Sequence, residues 1–281
     1  MRSLVAGQTA ISFMNTQSGQ RVAVIGGGWA GMAAAVQATQ RGHRVTVFEA
    51  ARQLGGRARA VPLRLPDGRS VTVDNGQHIL IGAYTECLRL MRQVGVTPGE
   101  ALLRLPLALT TPDGNGLRLP AWPAPWDALA GIATARSWRW RDKAALLRAA
   151  LAWRAAGFRC APEVSVAELC RRLPERLIHE FIEPLCVSAL NTPVRQASAQ
   201  VFLRVLHDGL LGAPGGSNLL LPRTDMGTLL PEPAAAWVAA RGGAVRLGER
   251  VDALRRTPTG WRVGNERFDQ VVLATPAAAS A

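Results

Sequence analysis

The clearest pattern of apolar and polar positions lies between residues 21 and 49. An uninterrupted apolar run at residues 22–25 is typical of a buried strand. Small apolar residues at helical spacing follow it and predict a helix that ends near Gly42. A second apolar run at residues 44–48 predicts another strand. The segment is therefore expected to fold as a strand, a helix and a second strand.

Three glycines and one carboxylate give this unit its candidate chemistry. Gly26, Gly28 and Gly31 have G-x-G-x-x-G spacing directly after the first strand. The first permits a sharp turn, the second lets a pyrophosphate approach the backbone, and the third lets helix and strand pack closely. The helix N-terminus adds N–H groups and a positive dipole. Glu49, about 20 residues further on, is placed to accept ribose hydroxyls. These features favour a dinucleotide site over a purely structural glycine turn.

A second glycine motif indicates which dinucleotide is bound. Leu54-Gly55-Gly56-Arg57-x-Arg59 follows Glu49 within one short loop. FAD runs on past the first helix, so a second glycine turn with arginines can hold its pyrophosphate and flank its isoalloxazine, whereas a nicotinamide enzyme needs no such pair. The arrangement resembles flavoproteins of the amine oxidase and phytoene desaturase type. The alternative interpretation is a surface loop in an arginine-rich chain.

The more selective resemblance lies in a polar segment after a predicted hairpin. Alternating residues at 63–65 and 70–73 flank an Asp-Gly turn and lead into D-N-G-Q-H-I-L-I-G-A-Y at residues 74–84, before a predicted helix at 84–94. This segment resembles the squalene-associated FAD-dependent desaturase family, the hydroxysqualene dehydroxylases of bacterial hopanoid biosynthesis. The resemblance continues through P-L-C-V-S-A-L-N-T-P, L-L-L-P-R and V-V-L-A-T-P, which begin at residues 184, 219 and 271.

The resemblance also implies cofactor contacts outside the glycine motifs. In the resembled flavoproteins the backbone at the position of Val251 meets the adenine end, and residues 274–276 close over the cofactor. The D-N-G-Q-H segment is implied to lie near the flavin. The residues predicted to bind FAD are Gly26, Gly28, Trp29, Ala30, Gly31, Glu49, Ala50, Gly55, Gly56, Arg57, Arg59, Gly76, Gln77, His78, Val251, Ala274, Thr275 and Pro276.

Two residues are candidates for proton transfer. His78 is the first, because the resemblance implies that it faces the flavin, and Asp208 is the second. The competing interpretation of His78 is a structural histidine whose ring is satisfied by Asp74, Asn75 or Gln77. No metal site is predicted.

Residues 85–218 predict a mainly helical substrate domain. Helical patterns occur at about 126–137, 141–156, 175–190 and 202–211, and a capping box at Ser165 and Glu168 begins a further helix that carries Leu169 and Leu173. The domain would line a hydrophobic tunnel or form an ordinary helical core. Five tryptophans lie beside many arginines, and packing within the domain is favoured over a patch that rests on a bilayer. They are Trp122, Trp126, Trp138, Trp140 and Trp153.

The last part of the sequence returns to short apolar runs. A strand at 219–223, a long helix at 226–241 and strands at 245–247, 251–254, 261–263 and 268–274 are predicted. The expected fold class is α/β. A Rossmann-like FAD-binding domain, with a parallel sheet and a β-meander, is expected from residues 20–84 and 219–281, and the helical domain from 85–218.

Two expectations concern the ends of the chain. Residues 1–19 are predicted to form a disordered leader. The resembled family continues well beyond residue 281, so the chain is expected to be truncated at its C-terminus, which puts stable FAD binding and activity in question.

Composition narrows the function classes. The 281 residues contain no apolar run of about 18 residues, so no transmembrane helix is predicted. The net charge of +13 comes almost entirely from arginine, with Lys143 as the single lysine. No basic cluster is interleaved with aromatic residues, which argues against nucleic-acid binding, whereas attraction to anionic lipid is more credible. Four cysteines without C-x-x-C spacing predict reduced thiols in the cytoplasm. The attraction to anionic lipid predicts peripheral contact with the inner membrane face.

Three functions remain open on the sequence. The resemblance implies an FAD-dependent reductive dehydroxylation of hydroxysqualene to squalene, with an apolar isoprenoid substrate and squalene-pathway enzymes as partners. A carotenoid desaturase or a flavin amine oxidase is the alternative, although Tyr84 is the single tyrosine and an amine oxidase needs an aromatic sandwich. The third possibility is a non-catalytic remnant or a partner subunit completed by a second polypeptide.

Overall fold

The structure is a computed structural model that describes residues 19–110, 116–212 and 214–280. Of the predicted leader, only Gly19 lies within the described residues. The sequence Asp113-Gly114-Asn115-Gly116 also predicts a turn, of which Gly116 alone lies within the described residues. Within the described ranges, no helix combines the length and the apolar character needed to cross a bilayer.

The helices and strands are numbered in chain order. From residue 19 to residue 110 they are β1 (Arg21–Ile25), α1 (Trp29–Gln40), β2 (Arg44–Glu49), β3 (Arg59–Arg64), β4 (Ser70–Asn75), β5 (Leu80–Ile81), α2 (Thr85–Gln93), α3 (Pro98–Ala101), β6 (Leu102–Leu105) and β7 (Ala108–Thr110).

The second half of the chain contains most of the helices. From residue 116 onward the elements are β8 (Gly116–Arg118), α4 (Trp126–Thr134), α5 (Trp140–Ala155), α6 (Val166–Leu169), α7 (Glu175–Leu177), α8 (Glu183–Leu190), α9 (Ala199–Leu206), β9 (Leu219–Pro222), α10 (Met226–Leu229), α11 (Pro231–Ala239), β10 (Ala244–Leu247), β11 (Leu254–Thr257), β12 (Gly260–Val263), β13 (Glu266–Phe268), β14 (Gln270–Leu273) and α12 (Ala277–Ser280). Two π-helical segments, Ile178–Ile182 and His207–Leu211, extend α7 and α9.

The chain divides into two compact units. The first comprises the residues up to 77, 93–96 and those from 224 onward, and the second comprises 78–92 and 97–223. The predicted boundaries, after residue 84 and before residue 219, differ from these. Strand β9 belongs to the second unit because it pairs with β5 and β6 in an antiparallel sheet.

The first unit is built on a four-stranded parallel sheet in the order β10-β2-β1-β14. Ala23 and Ile25 of β1 form one buried cluster with Phe48, Val263 and Phe268, so the antiparallel meander β11-β12-β13 packs on that face of the sheet. Side chains alternate along a strand, which leaves the opposite face of β1 to α1. The predicted combination of parallel sheet and meander is confirmed.

The second unit has a helical core beside its small sheets. Trp138, Leu146, Phe181 and Phe202 lie in one buried cluster that draws on most of its helices. The four cysteines are free thiols, two of them buried and two half-buried. Burial raises the pKa of Cys170 to about 12, so this thiol stays protonated and inert.

Three predicted elements in the first unit were wrong in their bounds. The long helix at 226–241 is broken at Leu230, whose φ of −149° is not helical, and Pro231 begins α11. The strand predicted at 251–254 begins only at its last residue, because residues 251–253 have no strand pairing. The strand predicted at 268–274 is divided between β13, which closes the meander, and β14, which joins the parallel sheet.

The capping box of the second unit is present, but its helix is short. The Ser165 hydroxyl accepts the Glu168 N–H, and the Glu168 carboxylate accepts the Ser165 N–H at 2.8 Å. Helix α6 ends at Leu169, so Leu173 lies beyond it, contrary to the prediction.

We expect a Gly31→Ala substitution to lower the free energy of unfolding by about 2–4 kcal/mol. A β-carbon on Gly31 would overlap the carbonyl oxygen of Gly26. That oxygen is a backbone atom and the β-carbon is fixed to the helix backbone, so neither can move aside. Chemical denaturation measures the effect. Gly99→Ala is the matched control, because a β-carbon on Gly99 meets no atom within 4 Å. Equal stability of the two variants would contradict this account of the helix–strand contact.

Candidate dinucleotide-binding site

Close backbone contacts shape the glycine turn between β1 and α1. Gly26 has a φ of +109°, and a β-carbon on it would lie 2.7 Å from the carbonyl oxygen of Ala274. The Ala274 N–H in turn donates to the carbonyl of Ile25 at 2.8 Å. No side chain caps the N-terminus of α1. The first N–H groups of the helix therefore remain available to an anion.

The Glu49 carboxylate is fixed at the end of β2. One oxygen accepts the Gly27 N–H at 2.6 Å, and the other accepts the Ala51 N–H at 2.8 Å. The side chain is half-buried. Each carboxylate oxygen keeps a further lone pair, so the group can accept ligand hydroxyls in the position that the turn dictates. The neighbouring Ala50 is exposed.

The second glycine motif packs against the first. The Gly55 N–H donates to the carbonyl of Gly27 at 3.0 Å, and Gly55 forms a parallel bridge with Gly28. A β-carbon on Gly56 would lie 3.3 Å from the α-carbon of Gly28. Gly55 and Gly56 both have positive φ, of +106° and +61°. The two motifs thus form one continuous backbone surface, which their separation in the sequence does not reveal.

Two buried donors near this surface have no partner among the described residues. They are Nε1 of Trp29, the first residue of α1, and Nε of Arg59, the first residue of β3. Arg57, between the glycine pair and β3, is exposed. A buried donor without an acceptor is rare and calls for an explanation, and a bound ligand is one.

The segment after β4 reaches the same surface. Gly76 has a φ of +74°, and a β-carbon on it would lie 2.5 Å from the carbonyl oxygen of Arg57. Gly76 therefore lies against the second glycine motif, and the exposed Gln77 follows it.

Sequence reasoning missed the role of Asp74, whose carboxylate accepts the Met226 N–H at 2.9 Å and so helps to hold the start of α10.

The C-terminal candidates lie in the same unit. Ala274 contacts the glycine turn, and the hydroxyl of Thr275 hydrogen-bonds that of Ser280, while Pro276 is exposed. The Glu249 N–H donates to the carbonyl of Glu49, which brings the segment before Val251 to the end of β2. Val251 packs against the meander cluster and lines an open cleft of about 640 Å³.

The two proton-transfer candidates lie in the second unit. His78 is exposed and has no hydrogen bond to any described residue, so its role stays a prediction. Asp208 is bound by Nε of Arg204 at 2.5 Å and by Nδ1 of His207 at 2.8 Å. Burial raises the pKa of Asp208, but the hydrogen bonds from His207 and Arg204 and their charges outweigh it and hold the pKa below its usual value. Asp208 is therefore ionised at neutral pH and is not a proton donor.

Comparison with known proteins agrees with this geometry. The family model described as flavin containing amine oxidoreductase matches residues 29–281. A solved oxidoreductase from Methanosarcina mazei superposes with a TM-score of 0.63 at 16% sequence identity, over 90% of this chain and 58% of that one. At this level of identity the likeness shows the fold.

Curated relatives extend the comparison to sequence. Hydroxysqualene dehydroxylases from Rhodopseudomonas palustris and Zymomonas mobilis are 29% and 26% identical, over 91% and 90% of this chain. A carotenoid phi-ring synthase from Streptomyces griseus is 31% identical over 84% of this chain and 46% of its own length. The chain covers 61% of each of the two hydroxysqualene dehydroxylases.

We expect a Glu49→Ala substitution to lower the free energy of unfolding by about 2 kcal/mol even without a ligand, because two backbone N–H groups lose a charged acceptor. Thermal and chemical denaturation of the purified chain measure this. The control is Glu163→Ala, at an exposed carboxylate with no hydrogen bond or ion pair to a described residue. A Glu49→Ala variant as stable as the control would show that the carboxylate does not anchor the turn.

Proposed function

The chain belongs to the flavin containing amine oxidoreductase family, and we propose that it performs the reductive dehydroxylation of hydroxysqualene to squalene with FAD as its cofactor. The observation that carries the family function is the paired glycine surface beside the fixed carboxylate of Glu49. Three relatives named hydroxysqualene dehydroxylase, from Rhodopseudomonas palustris, Zymomonas mobilis and Sinorhizobium fredii, support this substrate. Because the chain covers about three fifths of those relatives, the whole reaction is a proposal.

The described residues fit the nucleotide part of FAD. Gly28 and Gly56, one in each glycine motif, have no side chains to cover the backbone surface that the two motifs form. A pyrophosphate can therefore approach this surface at the head of α1. Glu49 would accept the ribose hydroxyls, and the buried donors of Trp29 and Arg59 would find acceptors. When bound, FAD in its reduced form supplies the hydride that replaces the departing hydroxyl.

The side chains of the protein would have to assist the loss of the hydroxyl group. The carbon–oxygen bond breaks, the oxygen leaves as water, and it needs one proton or a strong hydrogen bond to do so. Asp208 is ionised and cannot donate that proton directly, because its carboxylate is held by Nε of Arg204 and hydrogen-bonded to Nδ1 of His207. His78 remains the candidate that the family resemblance favours. The proposed partners are an apolar isoprenoid and the enzymes that supply or consume it.

A carotenoid desaturase is the second candidate. It is supported by the carotenoid phi-ring synthase and by zeta-carotene desaturases, of which that from Capsicum annuum is 36% identical over 75 residues. The shorter match covers 27% of this chain, whereas the hydroxysqualene dehydroxylases match about nine tenths of it. The phi-ring synthase matches 84% of this chain, so the preference for hydroxysqualene rests on three relatives of that name, each matching nine tenths of the chain or more.

We expect Gly28→Ala to weaken FAD binding at least about tenfold while leaving the free energy of unfolding within about 0.5 kcal/mol of the original. The nearest atom to a β-carbon on Gly28 is 3.8 Å away and φ is −76°, so the protein itself tolerates the methyl group. The methyl group would occupy the space proposed for the pyrophosphate. FAD fluorescence titration and denaturation measure the two quantities, with Gly99→Ala as the control. Undiminished FAD affinity would refute this placement of the cofactor.

The substrate is tested by supplying hydroxysqualene to chemically reduced, FAD-loaded protein and, in a separate reaction, phytoene to oxidised, FAD-loaded protein. We expect squalene from the first and no desaturated product when oxidised protein meets the second. Gas chromatography with mass spectrometry identifies the products. Desaturated phytoene without squalene would favour the carotenoid alternative, and flavin binding with neither product would reject both substrates for this chain.

A further inference from the structure

Three of the five tryptophans of the helical unit are exposed, contrary to the favoured prediction that they pack inside it. Trp122, Trp126 and Trp140 are 57%, 64% and 73% exposed. Trp138 is buried and Trp153 half-buried, so packing accounts for these two alone. Tryptophan is highly buried on average, and a large exposed aromatic surface marks a site of interaction.

Helix α5 has apolar residues on two different sides. Leu146, Ala149 and Trp153 pack in the core of the unit. Residues 140, 144, 147 and 151 recur at spacings of three and four and therefore share another side of the helix. That side carries Trp140 and Leu151, which is 66% exposed, with the half-buried Leu147 between them. A helix that needs only to cover a core has polar residues there.

Helix α4 continues the apolar surface. Trp126, Leu129 and Ala133 also follow spacings of three and four, and all three are exposed. Nζ of Lys143 donates to the carbonyl of Ala133 at 2.6 Å, which ties the end of this face to the first turn of α5. Lys143 lies one turn after Trp140, so the two helix faces adjoin. We name Trp126, Leu129, Trp140, Leu147 and Leu151 the tryptophan face.

Positive charge flanks the tryptophan face. Arg141 and Arg148 lie to one side of the stripe on α5 and Arg154 to the other, and all three are exposed. None of them has a carboxylate partner among the described residues. The guanidinium of Arg141 lies 5.4 Å from the centre of the Trp140 ring. The one acid of α5, Asp142, is buried and accepts the Arg139 N–H.

We infer that the tryptophan face docks this protein on the surface of an anionic lipid bilayer. Tryptophan and leucine on one helix face with arginines at its edges is the pattern of interfacial helices, which bury apolar side chains at the headgroup level and hold anionic headgroups beside them. A second copy of the chain is a poorer occupant, because a symmetric contact would bring the same arginines together. The inference accords with the proposed function, since an isoprenoid substrate resides in a bilayer.

Vesicle flotation of the purified chain tests the inference without any measurement of activity. We expect binding to vesicles of phosphatidylcholine with phosphatidylglycerol, weaker binding to phosphatidylcholine alone, and a loss of binding as salt is raised. Quenching of tryptophan fluorescence by brominated lipid should accompany binding. The experiment measures lipid binding and not catalysis. The chain can therefore bind vesicles even if hydroxysqualene is not its substrate.

Two variants separate the apolar and the electrostatic contributions. The tryptophan variant combines Trp126→Ser, Trp140→Ser and Leu151→Ser. The arginine variant combines Arg141→Gln, Arg148→Gln and Arg154→Gln. We expect each variant to bind vesicles about tenfold more weakly, or worse, than the original chain. All six positions are exposed, so the fold is expected to persist, and far-UV circular dichroism checks it.

Matched controls remove equivalent groups elsewhere. Val201→Ser with Leu247→Ser changes two apolar side chains that are 49% and 47% exposed. Arg255→Gln with Arg256→Gln and Arg262→Gln removes three exposed charges from the meander. Both controls should bind vesicles as the original chain does. The inference is overturned if the chain binds no vesicles, if the controls lose binding as much as the variants, or if the tryptophan variant instead dissociates a dimer.

Discussion

The first unit depends on one constraint, which is that three backbone segments meet without side chains between them at the head of α1. The carbonyl of Gly26 lies where a β-carbon of Gly31 would be, and the carbonyl of Ala274 lies close to Gly26. These contacts set the distance of the helix from the sheet and join β1 to the segment that follows β14. The position of the helix N-terminus, and therefore of the N–H groups that an anion would meet, follows from them.

The carboxylate of Glu49 links this packing to recognition. Its two oxygens accept the N–H groups of Gly27, in the glycine turn, and of Ala51. The group that closes the loop is thus the one proposed to accept the ribose hydroxyls. A charge already held by backbone donors loses little conformational freedom when it binds, which is the physical meaning of a preorganised site. The facing glycines of the second motif extend the preorganised surface along the backbone.

The helices of the second unit have apolar side chains both in its core and on its surface. Its helices must bury a core, and α4 and α5 also expose tryptophan and leucine beside arginines that have no carboxylate partner among the described residues. A helix with two apolar sides cannot bury both sides in the core of one small unit. The proposed bilayer contact gives the second side of α5 an environment in which exposure of Trp140 and Leu151 is favourable.

Local motifs in the sequence determined the βαβ unit, the glycine turn, the acid at the end of β2 and the hairpin of β3 and β4, because each depends on neighbouring residues and on spacing. Only the tertiary structure decided that Gly55 bridges Gly28, that Asp74 holds the start of α10, and that the predicted last strand is shared between the meander and the parallel sheet. It also decided which tryptophans are buried, since a helical pattern records that a side is apolar but not what covers it. Those outcomes depend on contacts between segments distant in sequence, and no local pattern encodes them.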